Sequence, residues 1–123
     1  MSTLEARAND AVVYKICPRE HWLAALRGGE LDPSRDDQRD GYVHLSRGQQ
    51  VQASLSRHFA GQADLVLLRV HVERLSPGAL RWEPSQSGEL FPHLYGGLAA
   101  AAVGEVFELA LDGRGEHQLP EGF

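Results

Sequence analysis

Residues 64–72, Asp-Leu-Val-Leu-Leu-Arg-Val-His-Val, constrain the fold more than any other stretch of the chain. Side chains of a strand alternate between two faces, so the unbroken run Leu65-Val66-Leu67-Leu68 predicts a strand that is apolar on both. The alternation that follows, Arg69-Val70-His71-Val72, predicts a central strand emerging toward water.

Two strand–helix units precede it. Residues 11–17 are rich in β-branched and aromatic side chains and end at Pro18, a favoured first residue of a helix. That helix is expected over 18–27, with Trp22, Leu23 and Leu26 on one buried stripe and Gly28-Gly29 as its left-handed stop. Residues 30–40 are polar, show neither periodicity, and are expected to form a loop. Residues 42–46 alternate as a short second strand, and Ser46 followed by Gln49 has the spacing of a capping box. The helix it opens would bury Val51, Leu55, His58 and Phe59, and Gly61 would close it.

After the central strand, Ser76-Pro77-Gly78 predicts a turn, 80–83 a short strand, 84–97 a loop holding Leu90, Phe91, Leu94 and Tyr95, and 103–111 a last strand. Helices early and strands late predict an α+β fold rather than a doubly wound parallel sheet. The expected organisation is a mobile head at 1–10, one globular domain over 11–112, and a frayed polar tail at 113–123.

Composition narrows the function classes. At 123 residues a chain buries enough surface to fold without disulfides or a structural metal. The net charge of -5, with Lys15 as the single lysine, argues against a partner as long as a nucleic acid strand. That balance restricts the size of an anionic ligand rather than its charge, because a few arginines hold phosphates by bidentate bonds whatever the global charge. Cys17 has no second cysteine to pair with, and Glu5, Arg7 and Asp10 stand where a signal peptide would be apolar, so a cytoplasmic location is expected. The longest apolar run is broken by Arg69 and His71, too short to cross a bilayer.

Two windows hold the candidate chemistry. In the first, two-residue alternation places Tyr42, His44 and Ser46 on one face of a strand while Val43 and Leu45 point to the core. His44 is a proton carrier near neutral pH, and Ser46 could meet a phosphate or ribose. The plain structural alternative is that Ser46 caps a helix and His44 is half-buried. The second window, 81–96, has Glu89 and His93 inside a loop whose apolar residues predict that it folds back on the body. If it returns over His44, a carboxylate and two imidazoles converge for acid/base work; otherwise Phe91, Leu94 and Tyr95 are simply core.

The remaining candidates are weaker. With six histidines but no His-Glu-x-x-His helix and no cysteine pair, no metal is expected. A metal-dependent hydrolase using His44, His93 and Glu89 stands as a third reading. Cys17 lies just before a helix N-terminus, where the dipole can lower a thiol pKa, although a small residue starting the helix explains it as well. Phosphate-binding glycine loops are absent, and His21 and His117 are expected at the surface.

The order of these residues has a family likeness. Tyr14-Lys15-Ile16, Trp22, Asp40-Gly41-Tyr42-Val43-His44-Leu45-Ser46, Gln50, Phe59, Gly61, Asp64-Leu65-Val66-Leu67-Leu68, Arg81-Trp82-Glu83 and the run from Gly88 through Gly96 closely resemble domain-of-unknown-function family 952. The resemblance implies an ADP-ribosyltransferase-like α+β fold, two small packed sheets with a cleft that binds nicotinamide dinucleotide in active relatives. Val43-His44-Leu45-Ser46 is also similar to a segment of RNA 2'-phosphotransferases, which transfer a phosphate onto that dinucleotide.

Carried over, the resemblance implies a nucleotide-type ligand, NAD or ADP-ribose, and transferase or glycohydrolase-like chemistry. His44, Glu89 and His93 would be catalytic, with Glu83 as the other candidate carboxylate. Lys15, Arg39, Tyr42, Ser46, Arg81 and Tyr95 would bind the ligand, the arginines at phosphate and a tyrosine by stacking. Many transferases of that fold carry His-Gly-Thr where this chain has Lys15-Ile16-Cys17. That departure favours the alternative of a non-catalytic module binding a metabolite or protein through the loop from Phe91 to Gly97.

Overall fold

A computed structural model describes residues 10–123 of the chain. The central strand is where the sequence puts it: β4 (Leu65–His71) is the middle of an antiparallel sheet, flanked by β1 (Val12–Pro18) and β8 (Val103–Leu109). Leu65 through Leu68 are each 1% exposed or less, because the two faces of β4 feed two different cores. Val66, Leu68 and Val70 pack with Val13, Cys17, Val43, Leu94 and Leu98. Leu65 and Leu67 pack with Tyr14, Ile16, Val51, Leu55 and Leu109 on the other side.

The chain between these strands is α1 (Arg19–Gly28), β2 (Glu30–Leu31), α2 (Arg35–Asp40), β3 (Val43–His44) and, after a 3-10 turn, α3 (Val51–His58). Then β5 (Leu80–Pro84), β6 (Leu90–Leu94) and β7 (Leu98–Ala99) follow β4. β3, β6 and β5 form a second antiparallel sheet in that order, and β2 pairs with β7. The observed fold is therefore α+β, with small antiparallel sheets and few helices. Ser46 and Tyr14 exchange backbone hydrogen bonds of 2.8 Å, which ties the end of β3 to β1 and so joins the two larger sheets.

Several sequence expectations are corrected. On α1 the inward residues are Trp22 and Ala25, one helical turn apart, so Leu23 and Leu26 rotate outward and are 44% and 58% exposed. Residues 30–40 are not a loop: they contain β2 and α2, whose capping box joins Ser34 and Asp37 and whose C-cap is Gly41 at φ 82°. The only buried residue of α2 is Asp37, so an apolar stripe could not announce the helix. Ser46 does not cap α3; its hydroxyl meets that of Ser54 at 3.0 Å, and the turn is closed instead by Arg47 N donating to Gln50 Oε1 at 2.9 Å. His58 is exposed, while Val51 and Leu55 are buried as expected.

Within the expected loop 84–97 lies β6, the middle strand of its sheet. Pro92 argues against a central strand because it lacks an N–H. Its carbonyl accepts from Leu45 N at 3.1 Å, so its nitrogen faces the same side, just past the end of the two-residue β3, where little pairing is lost. The segment expected to fray, 113–123, lies against the body: His117 is buried and faces Gln62 O from Nε2 at 2.7 Å, and Phe123 packs edge-on against Tyr14 at 5.3 Å. His117 is thus no surface residue. The head expected at 1–10 falls outside the described residues except for Asp10, which pairs with Arg47 at 2.9 Å. Among the described residues no helix is long and apolar enough to cross a membrane.

Candidate functional site

Strand register assembles the site. His44 on β3 stands directly opposite His93 on β6, and His93 opposite Arg81 on β5. Opposed residues of antiparallel strands share a face, so two imidazoles and a guanidinium form one row. Two-residue alternation adds Tyr42, Tyr95 and Glu83 to that face, while the next row, Val43, Leu94 and Leu80, turns to the core.

The rings are close enough to touch. Tyr42 stacks on His93 with centroids 4.0 Å apart and planes at 21°, and lies 4.7 Å from His44 and 5.4 Å from Tyr95. The imidazoles are 5.7 Å apart, centre to centre. The guanidinium of the exposed Arg81 sits 4.6 Å above the Tyr95 ring.

Each imidazole has its own carboxylate. His93 Nδ1 is 2.8 Å from Glu83 Oε1, and the Tyr95 hydroxyl donates to both oxygens of the same carboxylate at 2.8 and 3.1 Å. The His93 hydrogen bond first, and that of Tyr95 second, hold Glu83 below the usual carboxylate range. Glu83 is therefore an ionised acceptor, and His93 carries its proton on Nδ1. His44 Nδ1 is 2.7 Å from Asp37 Oδ1, and its Nε2 is 2.9 Å from Asp40 Oδ2. Both nitrogens thus face acceptors, an arrangement that the imidazolium, with a proton on each, satisfies in full.

Behind His44 lies a buried ion pair. Strand alternation puts Lys15 on the inward face of β1 with Val13 and Cys17, where an unpaired ammonium would be very costly. Asp37 Oδ2 meets Lys15 Nζ at 3.0 Å with side chains 1% and 7% exposed, and Lys15 also donates to His44 O at 3.2 Å. Asp37 further accepts from the backbone N–H of His44 at 3.0 Å and of Ser34 at 3.3 Å. Burial pushes the Asp37 carboxyl up, but the His44 hydrogen bond and the Lys15 charge outweigh it and hold it well below the ordinary range. A fixed carboxylate is the result, clamped on one side by Lys15 and presenting its other oxygen to His44.

Of the residues singled out in the sequence, the structure brings together Tyr42, His44, Arg81, His93 and Tyr95, with Arg39 at the rim. Glu89 stands apart: it is exposed and accepts from Gln50 Nε2 at 3.1 Å, and the carboxylate beside His93 is Glu83. Ser46 is buried against Ser54 rather than facing the imidazoles. Lys15 is buried and paired with Asp37 behind His44. Arg39 is exposed and pairs with Asp36 at 3.2 Å and Asp40 at 2.9 Å. Burial, against a smaller opposing pull from Lys15, pushes the Cys17 thiol up to about 11, which removes it as a nucleophile.

Sequence reasoning missed Asp37 and Asp40. The one local signal for Asp37 was Ser34 three residues before it, the spacing of a capping box. A cavity of about 320 Å³ lies elsewhere, between α3 and the C-terminal segment, and one of about 120 Å³ touches the site only at its edge, through Tyr95. Among the described residues no group of three His, Cys, Asp or Glu side chains has the geometry to hold a metal ion.

Comparison with known proteins fits a member of a family without an assigned activity. The family described as "Protein of unknown function (DUF952)" matches residues 16–106. A crystal structure of protein CC0527 from Caulobacter crescentus is 44% identical and superposes with a TM-score of 0.82, covering 88% of this chain and 94% of that one. A solution NMR structure of the same protein gives 43% identity, a TM-score of 0.78, and coverage of 89% and 93%. No curated protein matches the chain.

Proposed function

The chain belongs to the DUF952 family, whose function is unknown, and we propose that the outer face of its β3-β6-β5 sheet binds a small nucleotide-type ligand, NAD or ADP-ribose, and moves a proton on it. The observation that supports this most is the pair of imidazoles 5.7 Å apart, each held at Nδ1 by an ionised carboxylate and both lying against one tyrosine ring. Fixing the proton on Nδ1 makes Nε2 the working nitrogen of His93, which has no hydrogen-bond partner among the described residues. Tyr95 and Tyr42 offer flat surfaces to a base or nicotinamide ring. Arg81, stacked on Tyr95 and otherwise unpaired among the described residues, is placed for a phosphate.

Two antiparallel three-stranded sheets joined at Tyr14 and Ser46 fit the ADP-ribosyltransferase-like arrangement that we infer for the fold. In this reading Lys15, at the first-strand position where transferases of that fold carry a ribose-contacting histidine, holds Asp37 and through it His44. Calorimetric titration with ADP-ribose and NAD tests the proposal. Binding in the micromolar to millimolar range is expected for the native chain, with a loss of tenfold or more in His93→Ala and Arg81→Ala. Absence of binding at millimolar ligand would overturn it.

The presence of Lys15-Ile16-Cys17 where transferases of that fold carry His-Gly-Thr favours a second reading, a non-catalytic module that docks an extended partner across Tyr42, Tyr95 and the segment from Phe91 to Gly97. That reading predicts a partner whose capture is abolished by Phe91→Ala or Tyr95→Ala and survives His44→Ala.

A further inference from the structure

The geometry points to an anion subsite that the protein itself fills: we propose that the Asp40 carboxylate stands in for a phosphate of the ligand, and must turn away for that phosphate to bind between Arg39 and His44. The proposal rests on the ligand reading above and names the group that the ligand presents to this corner of the site.

Three distances carry it. One oxygen of Asp40, Oδ1, accepts from Arg39 Nε at 2.9 Å, while Oδ2 accepts from Arg39 NH2 at 3.1 Å and lies 2.9 Å from His44 Nε2. A guanidinium fork engaging both oxygens of one anion, with an imidazole on the same anion, is the donor set by which proteins hold phosphates. The donors belong to other residues, so another anion of similar size could take the same place. His44 cannot offer Nε2 to anything else while Asp40 holds it, because Nδ1 is committed to Asp37.

Asp40 differs from Asp37 in the property that matters for displacement. The Asp37 side chain is 1% exposed and bound by Lys15 and the His44 backbone, whereas that of Asp40 is 29% exposed. Asp40 is also the last residue of α2, so a side-chain rotation into water vacates the place with no change in the fold. Arg39 is 67% exposed and is held by Asp36 only through NH1, 3.2 Å away, so its Nε and NH2 become available to an incoming anion once Asp40 turns out. The subsite selects a phosphate monoester or diphosphate end over a neutral ligand, since only an anion compensates His44 and Arg39 for the lost carboxylate.

Removing the internal competitor raises the fraction of molecules ready to bind, and apparent affinity rises by the same factor. The test measures binding of inorganic pyrophosphate and of ADP-ribose to the native chain, Asp40→Asn, Asp40→Ala and Arg39→Ala, at low and high salt. Both Asp40 variants are expected to bind each probe roughly tenfold more tightly than the native chain. Arg39→Ala is expected to bind more weakly, and the gain in the Asp40 variants should shrink as salt screens the site. Two variants of different shape guard against a local distortion in either. If the native chain binds ADP-ribose through His93 and Arg81 but neither Asp40 variant binds more tightly, the stand-in is wrong and the ligand site stands. If no form binds either probe, both readings fall.

Discussion

Replacing Asp37 by alanine is expected to destabilise the protein by about 3–5 kcal/mol, the usual cost of leaving the partner of a buried ion pair alone. Lys15, 7% exposed, would keep a charge with no counter-ion, and the backbone N–H of His44 would lose its acceptor. Urea unfolding reads the effect directly. A double variant, Lys15→Met with Asp37→Leu, is expected to recover the part due to the unpaired Lys15 charge, because a buried pair exchanged for apolar side chains of similar size is often neutral, while the N–H groups of His44 and Ser34 still lack their acceptor. The rescue should be confined to stability: without Asp37 nothing fixes the proton on His44 Nδ1. Acid should reproduce the single variant in part. Asp37 titrates below its unfolded value, so its contribution is complete above about pH 4 and is lost as pH falls through the folded-state value. Asp37→Asn should flatten that decline.

Truncation of β4 should be nearly as costly. Leu67→Ala and Leu68→Ala each remove a fully buried side chain, and each is expected to cost about 2–5 kcal/mol. Although adjacent in sequence, the two leucines point into different cores, Leu67 among Tyr14, Val51 and Leu55, Leu68 among Val13, Val43 and Leu94. With separate packing partners the pair should cost clearly more than either single change, short of strict additivity because the two residues are neighbours on one strand. The double variant would then approach the whole stability of a domain this size and be largely unfolded. Thermal unfolding of the two single variants and the pair measures this, and a double variant no worse than either single one would contradict the two-core description.

What was legible in the sequence followed apolar patterning. The four consecutive apolar residues of β4 announced a central strand, and alternation across Tyr42, Val43, His44 and Leu45 gave the correct facing for the first part of the site. What stayed hidden was organised by polar contacts. α2 buries an aspartate instead of an apolar stripe, so its helix and the partner of Lys15 both lay in a stretch with no periodicity. β6 was masked by Pro92, whose missing N–H is tolerated because β3 ends beside it. Of the two candidate carboxylates, Glu89 is the nearer to His93 in sequence, whereas the β5-β6 register sets Glu83 diagonally across from His93 and within hydrogen-bond reach. Leu23 and Leu26 show the converse, apolar residues that a short helix leaves in water because Trp22 and Ala25 take the contact.

Under the proposed function, His44 and His93 respond to one and the same ligand. Imidazole nitrogen spectra, recorded while ADP-ribose is added, test it most directly, because six histidines are spread over the molecule and report separately. The ring signals of His44 and His93 should move together, saturating at one ligand concentration, with those of His21, His58 and His117 unchanged. Movement confined to His117, which lines the cavity beside α3, or no movement of any ring at saturating ligand, would contradict the account.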